Sequence, residues 1–195
     1  MSNRVQELNK HLVIKELDRI AFKNFCLLFQ YKTDTYYDVI RSNDSLFSIE
    51  LINKPYAHSV EKEFEDHLYA DHLENPTAFG LFLKEEILGY LEVDRESWHN
   101  RLRVTELLIL QNYRHKGYGK VLMDKAKAIG RVEGFRELVL ETQSCNTEAI
   151  DFYLSQGFFV NGIDLSSYTN HDIENREIRL EMVFRDTSEG IHGKH

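Results

Sequence analysis

The sequence predicts an α/β protein in one domain, a mixed sheet with helices packed on it. Three observations carry this reading. Apolar runs of strand length alternate with two stretches of helical period, turn signals separate them, and the order of elements reads β-β-β-α-β-α-β-β. A chain of 195 residues is long enough to bury a core without disulfide or metal staples.

The elements follow in order. Residues 1–45 show no single period and stand as an N-terminal segment. Residues 59–75 carry Glu61, Glu63, Glu65, Asp66, Asp71 and Glu74 against Lys62 alone. Phe64, Leu68 and His72 recur there at helical spacing, so a short acidic helix is expected. Residues 78–83 and 87–93 are two apolar runs split by Lys84-Glu85-Glu86, a hairpin interval, and residues 102–110 form a third strand. After Gly117 the period changes. Leu122, Ala126 and Ile129 share a face away from Lys120, Asp124 and Lys127, which predicts an amphipathic helix stopped by Gly130.

Residues 137–142 form the fourth strand. The second helix has Asn146 as its cap, Glu148 near its positive end, a buried stripe of Ala149, Ile150, Tyr153 and Leu154, and Gly157 as its stop. Residues 158–163 and 177–184 close the pattern as strands. In the last one Ile178, Leu180, Met182 and Phe184 alternate with Glu177, Arg179 and Glu181, so one face is buried and one is wet. The main domain is read as residues 46–185. Residues 186–195 hold Gly190 and Gly193 and almost nothing apolar, and read as a flexible tail.

Charge and cysteine content bound the function. Lys+Arg 24 against Asp+Glu 32 gives a net charge of −8, which disfavours non-specific nucleic-acid binding and suits a cationic substrate. Cys26 and Cys145 cannot build a disulfide framework, so a reducing, cytoplasmic setting is expected. The first residues have no apolar core of a signal peptide, and no apolar run approaches the roughly 18 residues of a membrane helix. Nine histidines form no metal set: His67 and His72 are five apart and do not share a helical face, so no metal is expected.

Residues 106–122 are the most informative stretch. A strand runs into a basic turn with two glycines, which opens a helix. Gly117 and Gly119 let backbone approach a ligand closely, and free amides at a helix start favour a phosphate. Arg114, His115, Lys116 and Lys120 make this a basic island on an acidic protein. Two common phosphate motifs fail on spacing. Val121 follows Gly119-Lys120 where a Walker loop needs Ser or Thr, and Leu122 stands where the Rossmann fingerprint needs its third glycine. What remains is Arg114-x-x-Gly117-x-Gly119 between a strand and a helix.

That arrangement resembles the acetyl-coenzyme-A loop of the GNAT superfamily of N-acetyltransferases. The strand at 138–143, Asn146, Tyr153 and then Gly157-Phe158 look like the second half of that family. More narrowly, residues 140–153, with Gly157-Phe158, the stretch from Gly162 through Tyr168, and Trp98, resemble streptothricin acetyltransferases. The resemblance spans roughly residues 79–184 and implies a mixed, mostly antiparallel central sheet flanked by helices. It implies acetyl-CoA as cosubstrate, with the pyrophosphate on Arg114, His115, Lys116, Gly117, Tyr118, Gly119 and Lys120. Backbone of Leu107, Leu108 and Ile109 would pair with the pantetheine arm like an added strand, and Asn146 would lie near that arm. The acceptor is then a small-molecule amine, with direct attack in a ternary complex, and a homodimer is among the expected assemblies.

The resemblance also assigns Tyr153 as proton donor to the leaving thiolate; core packing on the helix stripe is the alternative. A tyrosine near pKa 10 protonating a thiolate near 8.5 works uphill by about 2 kcal/mol, so the site must lower that gap or supply a water. The acceptor ammonium must lose a proton before attack, which calls for a carboxylate or a water chain. Glu106 on the third strand and Glu141 at the end of the fourth are the leading bases, because a strand carboxylate among apolar residues is costly to bury without a task. Glu92, on the second strand with Leu88 and Tyr90, is a further carboxylate. Many streptothricin enzymes have an acidic pair in the third strand, where this chain has Thr105-Glu106. Cys145 has no histidine close in sequence to activate it and is not expected to be a nucleophile. Peptide or protein acetylation, and acyl-CoA binding without turnover, are the competing functions.

Overall fold

The computed structural model describes residues 11–42, 46 and 48–186. The residues of the expected N-terminal segment at 1–10 and 43–45, and residues 187–195 of the expected tail, lie outside them. Nine strands are described: β1 (Leu12–Glu16), β2 (Phe25–Ser42), β3 (Ser48–Leu68), β4 (Thr77–Leu83), β5 (Glu86–Glu96), β6 (Arg101–Ile109), β7 (Glu137–Gln143), β8 (Phe159–Asp164) and β9 (Arg179–Phe184). The helices are α1 (Tyr118–Glu133), α2 (Thr147–Ser155) and the single turn α3 (Asp172–Asn175). The chain forms two compact units that interleave in sequence: Met1–Leu27, Glu65–Val139 and Arg185–His195 in the first, Leu28–Phe64 and Leu140–Phe184 in the second.

In the first unit the strand order is β1-β4-β5-β6, followed by the opening residues of β7. β1 pairs with β4, β4 with β5 and β5 with β6, all antiparallel, while β6 and β7 run parallel over Arg101↔Glu137 to Arg103↔Val139. The sheet is thus mixed and mostly antiparallel. Lys84 and Glu85 make the β4–β5 turn where the sequence predicts a hairpin. On β6 the alternation holds, with Leu102, Val104, Glu106 and Leu108 buried and the residues between them half-buried. α1 packs on β5 and β6 through the predicted face of Leu122, Ala126 and Ile129, joined by Met123. Burying each such side chain contributes on the order of 1.5–3 kcal/mol.

α1 does not stop at Gly130. It runs to Glu133 and ends at Gly134, which takes the left-handed conformation with φ 73° and donates to Arg131 O and Gly130 O. Gly130 is instead a close-packing residue: a Cβ there would lie 2.4 Å from Leu138 Cδ1. Gly89 on β5 is tighter in kind, since its Cβ would meet the Leu108 carbonyl oxygen at 2.4 Å.

The second unit holds the end of β7, then β9 and β8, and most of the β2–β3 ribbon. The ribbon replaces the acidic helix expected over residues 59–75. Glu61, Glu63 and Glu65 point to solvent at every second position, the period of a strand, and Phe64 stacks on Phe29 with ring centroids 4.9 Å apart. The spacing of Phe64, Leu68 and His72 mimics a helix only because β3 ends at Leu68 and His72 falls in the turn beyond it. β1 and β2, and the single turn α3, have no counterpart in the predicted order.

One carboxylate organises the first unit. Glu137, 2% exposed, accepts from Arg101 Nε at 2.6 Å and Arg185 Nε at 3.1 Å, with Arg136 Nη2 at 3.0 Å. Burial alone would raise its pKa, but the hydrogen bonds of Arg185 and Arg101 outweigh it and hold the carboxyl below its ordinary range. A lowered native pKa means that this stabilisation is complete above the unfolded value of about 4.3 and is lost as pH falls through the native one. Glu137→Gln is expected to cost about 3 kcal/mol at pH 7 and to flatten the loss of stability in acid. Urea denaturation between pH 7 and 3 checks this, and an unchanged acid limb in the variant refutes it. Among the described residues no helix is long and apolar enough to cross a membrane.

Candidate active site

The basic loop lies in the first unit, at the end of β6. A short 3-10 turn, Gln111–Tyr113, leads to Arg114, whose Nε donates to Ile109 O at 3.1 Å and so folds the loop back on the strand. His115 takes a positive φ of 58°, and Gly117 caps α1 at φ 86° without a side-chain cap. A Cβ at Gly117 would meet nothing within 4 Å, so the ground over the first turn of α1 is open. The first intrahelical bond is Val121 N to Gly117 O, which leaves the amides of Tyr118, Gly119 and Lys120 ahead of it. Lys116 reaches Asn112 O beside the loop, and Lys120 pairs with Asp124 one turn along α1. Open amides, a helix start and local positive charge suit a pyrophosphate.

β6 itself carries the next two features. In the first unit it pairs with β7 over Arg101–Arg103, and Leu107, Leu108 and Ile109 follow further along the same strand toward the loop. Glu106, 6% exposed, shares its buried face with Val104 and Leu108, as the sequence predicts. Directly opposite on β5 is Glu92, at a register shift that makes room for Thr105. Glu92 is fully buried. Tyr69 N donates to its Oε1 at 2.6 Å and Thr105 Oγ1 to its Oε2 at 2.8 Å. Burial pushes the Glu92 carboxyl up, and Asp94 and Asp66 add to this, while the two hydrogen bonds oppose it. Thr105, which stands where an acidic pair is expected, therefore serves a carboxylate on the neighbouring strand. Sequence reading weighs Glu92 but cannot see this partnership, because it depends on a cross-strand register with an extra residue in β6.

Glu141, Asn146 and Tyr153 belong to the second unit. Asn146 caps α2 as predicted, its Oδ1 accepting from Ala149 N at 3.3 Å. Of the predicted helix stripe only Ile150 is buried; Ala149 and Tyr153 are half-buried and Leu154 is exposed. Tyr153 is therefore no core residue in the ordinary sense, although its ring lies 5.5 Å from Phe152 and 6.0 Å from Phe158. Glu141 departs from expectation. It points to solvent and pairs with Arg179 at 3.2 Å. Cys145 is buried against Tyr31, and burial pushes its thiol up, which suits no nucleophile.

Comparisons with known proteins bear on the family and the fold. Streptothricin acetyltransferase A of Bacillus subtilis (strain 168) is 29% identical over 139 residues, covering 71% of this chain and 79% of that protein. The crystal structure of nourseothricin acetyltransferase superposes with a TM-score of 0.71 over 90% of this chain and 98% of that one, at 23% identity. A streptothricin acetyltransferase structure from Bacillus anthracis str. Ames, in complex with acetyl coenzyme A, gives 0.70 over 90% and 97%, at 22% identity. These two likenesses bear out the fold. The acetyltransferase (GNAT) family profile matches residues 43–158, more than half of the 195 residues, and the chain belongs to that family.

Proposed function

We propose that the chain transfers acetyl from acetyl-CoA to a primary amine of a small cationic acceptor, with a streptothricin-like antibiotic as first candidate. The observation that carries this reading is β6. One strand bears the buried carboxylate Glu106, then Leu107, Leu108 and Ile109, and leads within a few residues into the basic glycine loop. The likeness to streptothricin acetyltransferase A supports the acceptor class.

Acetyl-CoA brings the activated acyl group; the chain binds, orients and moves protons. Amides of Gly117, Tyr118, Gly119 and Lys120, with Arg114, His115 and Lys116, hold the pyrophosphate. Backbone of Leu107, Leu108 and Ile109 holds the pantetheine arm, with Asn146 assigned beside it, and an N–H there polarises the thioester carbonyl. Glu106 takes the proton that the acceptor ammonium must lose, directly or through water. Glu92, buried opposite it, keeps Thr105 and the register in place. Glu141, exposed and paired with Arg179, is the lesser candidate for base. Tyr153 returns a proton to the leaving thiolate.

A thiol-release assay with acetyl-CoA tests the reading against a panel of amines that includes streptothricin, polyamines and neutral N-terminal peptides. Cationic acceptors should be turned over fastest. Their KM should rise with salt more than the maximal rate falls, since exposed charge pairs are screened over about 8 Å at physiological ionic strength. Faster acetylation of neutral peptides with no salt effect replaces this acceptor with a protein one. Coenzyme binding without thiol release from any amine leaves only an acyl-CoA-binding domain.

A further inference from the structure

A second group of polar side chains lies wholly within the second unit. Lys62 on β3 donates its ammonium to Glu177 Oε1, just before β9. The two side chains are 28% and 23% exposed, so small solutes reach the pair. Tyr31, Tyr56 and Cys145 all lie near enough to feel the Glu177 charge. Tyr31 on β2 donates to Gln143 Oε1 at 3.1 Å and lies 3.3 Å from Cys145 Sγ. Tyr56 on β3 stacks 4.6 Å from Tyr36, and the Arg176 guanidinium lies 5.2 Å from the Tyr56 ring centre and 4.5 Å from that of Tyr36.

The backbone that presents Glu177 is pinned on both sides. Asp172, 1% exposed, accepts from Tyr168 N, Thr169 N and Thr169 Oγ1 at 2.7–2.8 Å and fixes the approach to α3. Glu177 N donates to Asp172 O at 2.8 Å. Arg176 sits at φ 63°, its carbonyl accepting from Ser144 Oγ at 3.0 Å, and Ser144 N donates to Ile178 O. A non-glycine residue held in the left-handed region costs about 1–3 kcal/mol and persists where the surroundings fix it, often at ligand sites. Burial, with Cys145 and Glu177 nearby, pushes the Tyr56 phenol up to about 12 and Tyr31 higher still. Both stay neutral at physiological pH, so they add no charge of their own beside Glu177.

We propose that Glu177, flanked by Tyr31 and Tyr56, binds a non-reacting ammonium of the acceptor, and that Lys62 holds its place as a built-in competitor. The inference rests on the cationic-acceptor reading above and adds the acceptor class: a molecule with at least two amines. An ammonium in an ion pair stays protonated, so the amine bound here is not the one acetylated. Exchange of one ammonium for another keeps Glu177 paired throughout, and Lys62, on a flexible stem at the ribbon surface, is released to water. Neither step leaves a buried charge without a partner.

The test uses 1,5-diaminopentane as probe, with binding by calorimetry and turnover by thiol release. Lys62→Met should bind the diamine about tenfold more tightly than wild type, and Glu177→Gln at least about tenfold more weakly. If Glu177→Gln folds poorly with Lys62 left behind, Lys62→Met/Glu177→Gln, which removes both charges, must bind as weakly. For cationic substrates the same changes should appear in KM, with kcat within about twofold and acetyl-CoA KM unchanged. Diamine binding that ignores both substitutions, or is absent even in Lys62→Met, overturns the inference. Acceptor turnover that survives with unmoved KM overturns it while the proposed function stands. Diamine binding that follows the pattern while no amine releases thiol supports the cation site and removes the catalytic reading instead.

Discussion

Replacing Gly117 and Gly119 together with valine is expected to abolish the thermal stabilisation that acetyl-CoA confers, while leaving a folded protein. Gly117 is held at φ 86°, a region where a β-branched residue costs about 1–3 kcal/mol. No atom lies within 4 Å of its would-be Cβ, so the penalty is dihedral strain without collision, and the apo protein loses a few degrees of stability only. The coenzyme suffers more. Two isopropyl groups would stand over the amides of Tyr118, Gly119 and Lys120, and the first turn of α1 would have to move to relieve the strain. Affinity should fall at least about 100-fold, equivalent to about 2.7 kcal/mol. Calorimetry and thermal shift with and without acetyl-CoA measure it. Wild-type affinity in the double variant removes the glycine loop from the coenzyme site.

Tyr153→Phe is expected to keep acetyl-CoA binding and to slow turnover roughly 10- to 1,000-fold, as loss of a general acid does. The substitution deletes only the hydroxyl. The ring contacts with Phe152 and Phe158 survive. A half-buried ring on α2 is compatible with a hydroxyl that meets a ligand, which the core alternative did not require. Steady-state rates across pH decide the matter. A phenylalanine variant with wild-type kcat at every pH leaves Tyr153 as packing.

What was legible in the sequence was local. β4 and β5 are apolar runs of strand length, β6 and α1 show apolar periods of two and 3.6, and Asn146 caps α2 through a contact three residues away. What was hidden depends on partners. The β2–β3 ribbon draws its order from cross-strand contacts such as Phe29 with Phe64, and the two-residue alternation of Glu61, Glu63 and Glu65 competes in the sequence with the helical spacing of Phe64, Leu68 and His72. Glu137 and Glu141 share a strand and a residue type, yet one gathers three arginines and the other faces water. The opposition of Glu92 and Glu106 depends on a register shift that counting from the hairpin turn misses.

The glycines at 89 and 117 should behave differently when every amino acid is tried at each. At 117 the constraint is a dihedral angle with empty space around it, and asparagine or aspartate, which tolerate left-handed backbone, should rescue much of what valine loses. At 89 no unusual angle is involved; the Leu108 carbonyl occupies the volume of a Cβ. Alanine should therefore fail there nearly as badly as valine, and conformational tolerance should rescue nothing. Any side chain admitted at 89 pushes β6 aside at Leu108 and Ile109, the backbone assigned to the pantetheine arm. A position with no ligand contact of its own would then register as a coenzyme-affinity position, and a substitution map would draw the binding strand one strand too wide.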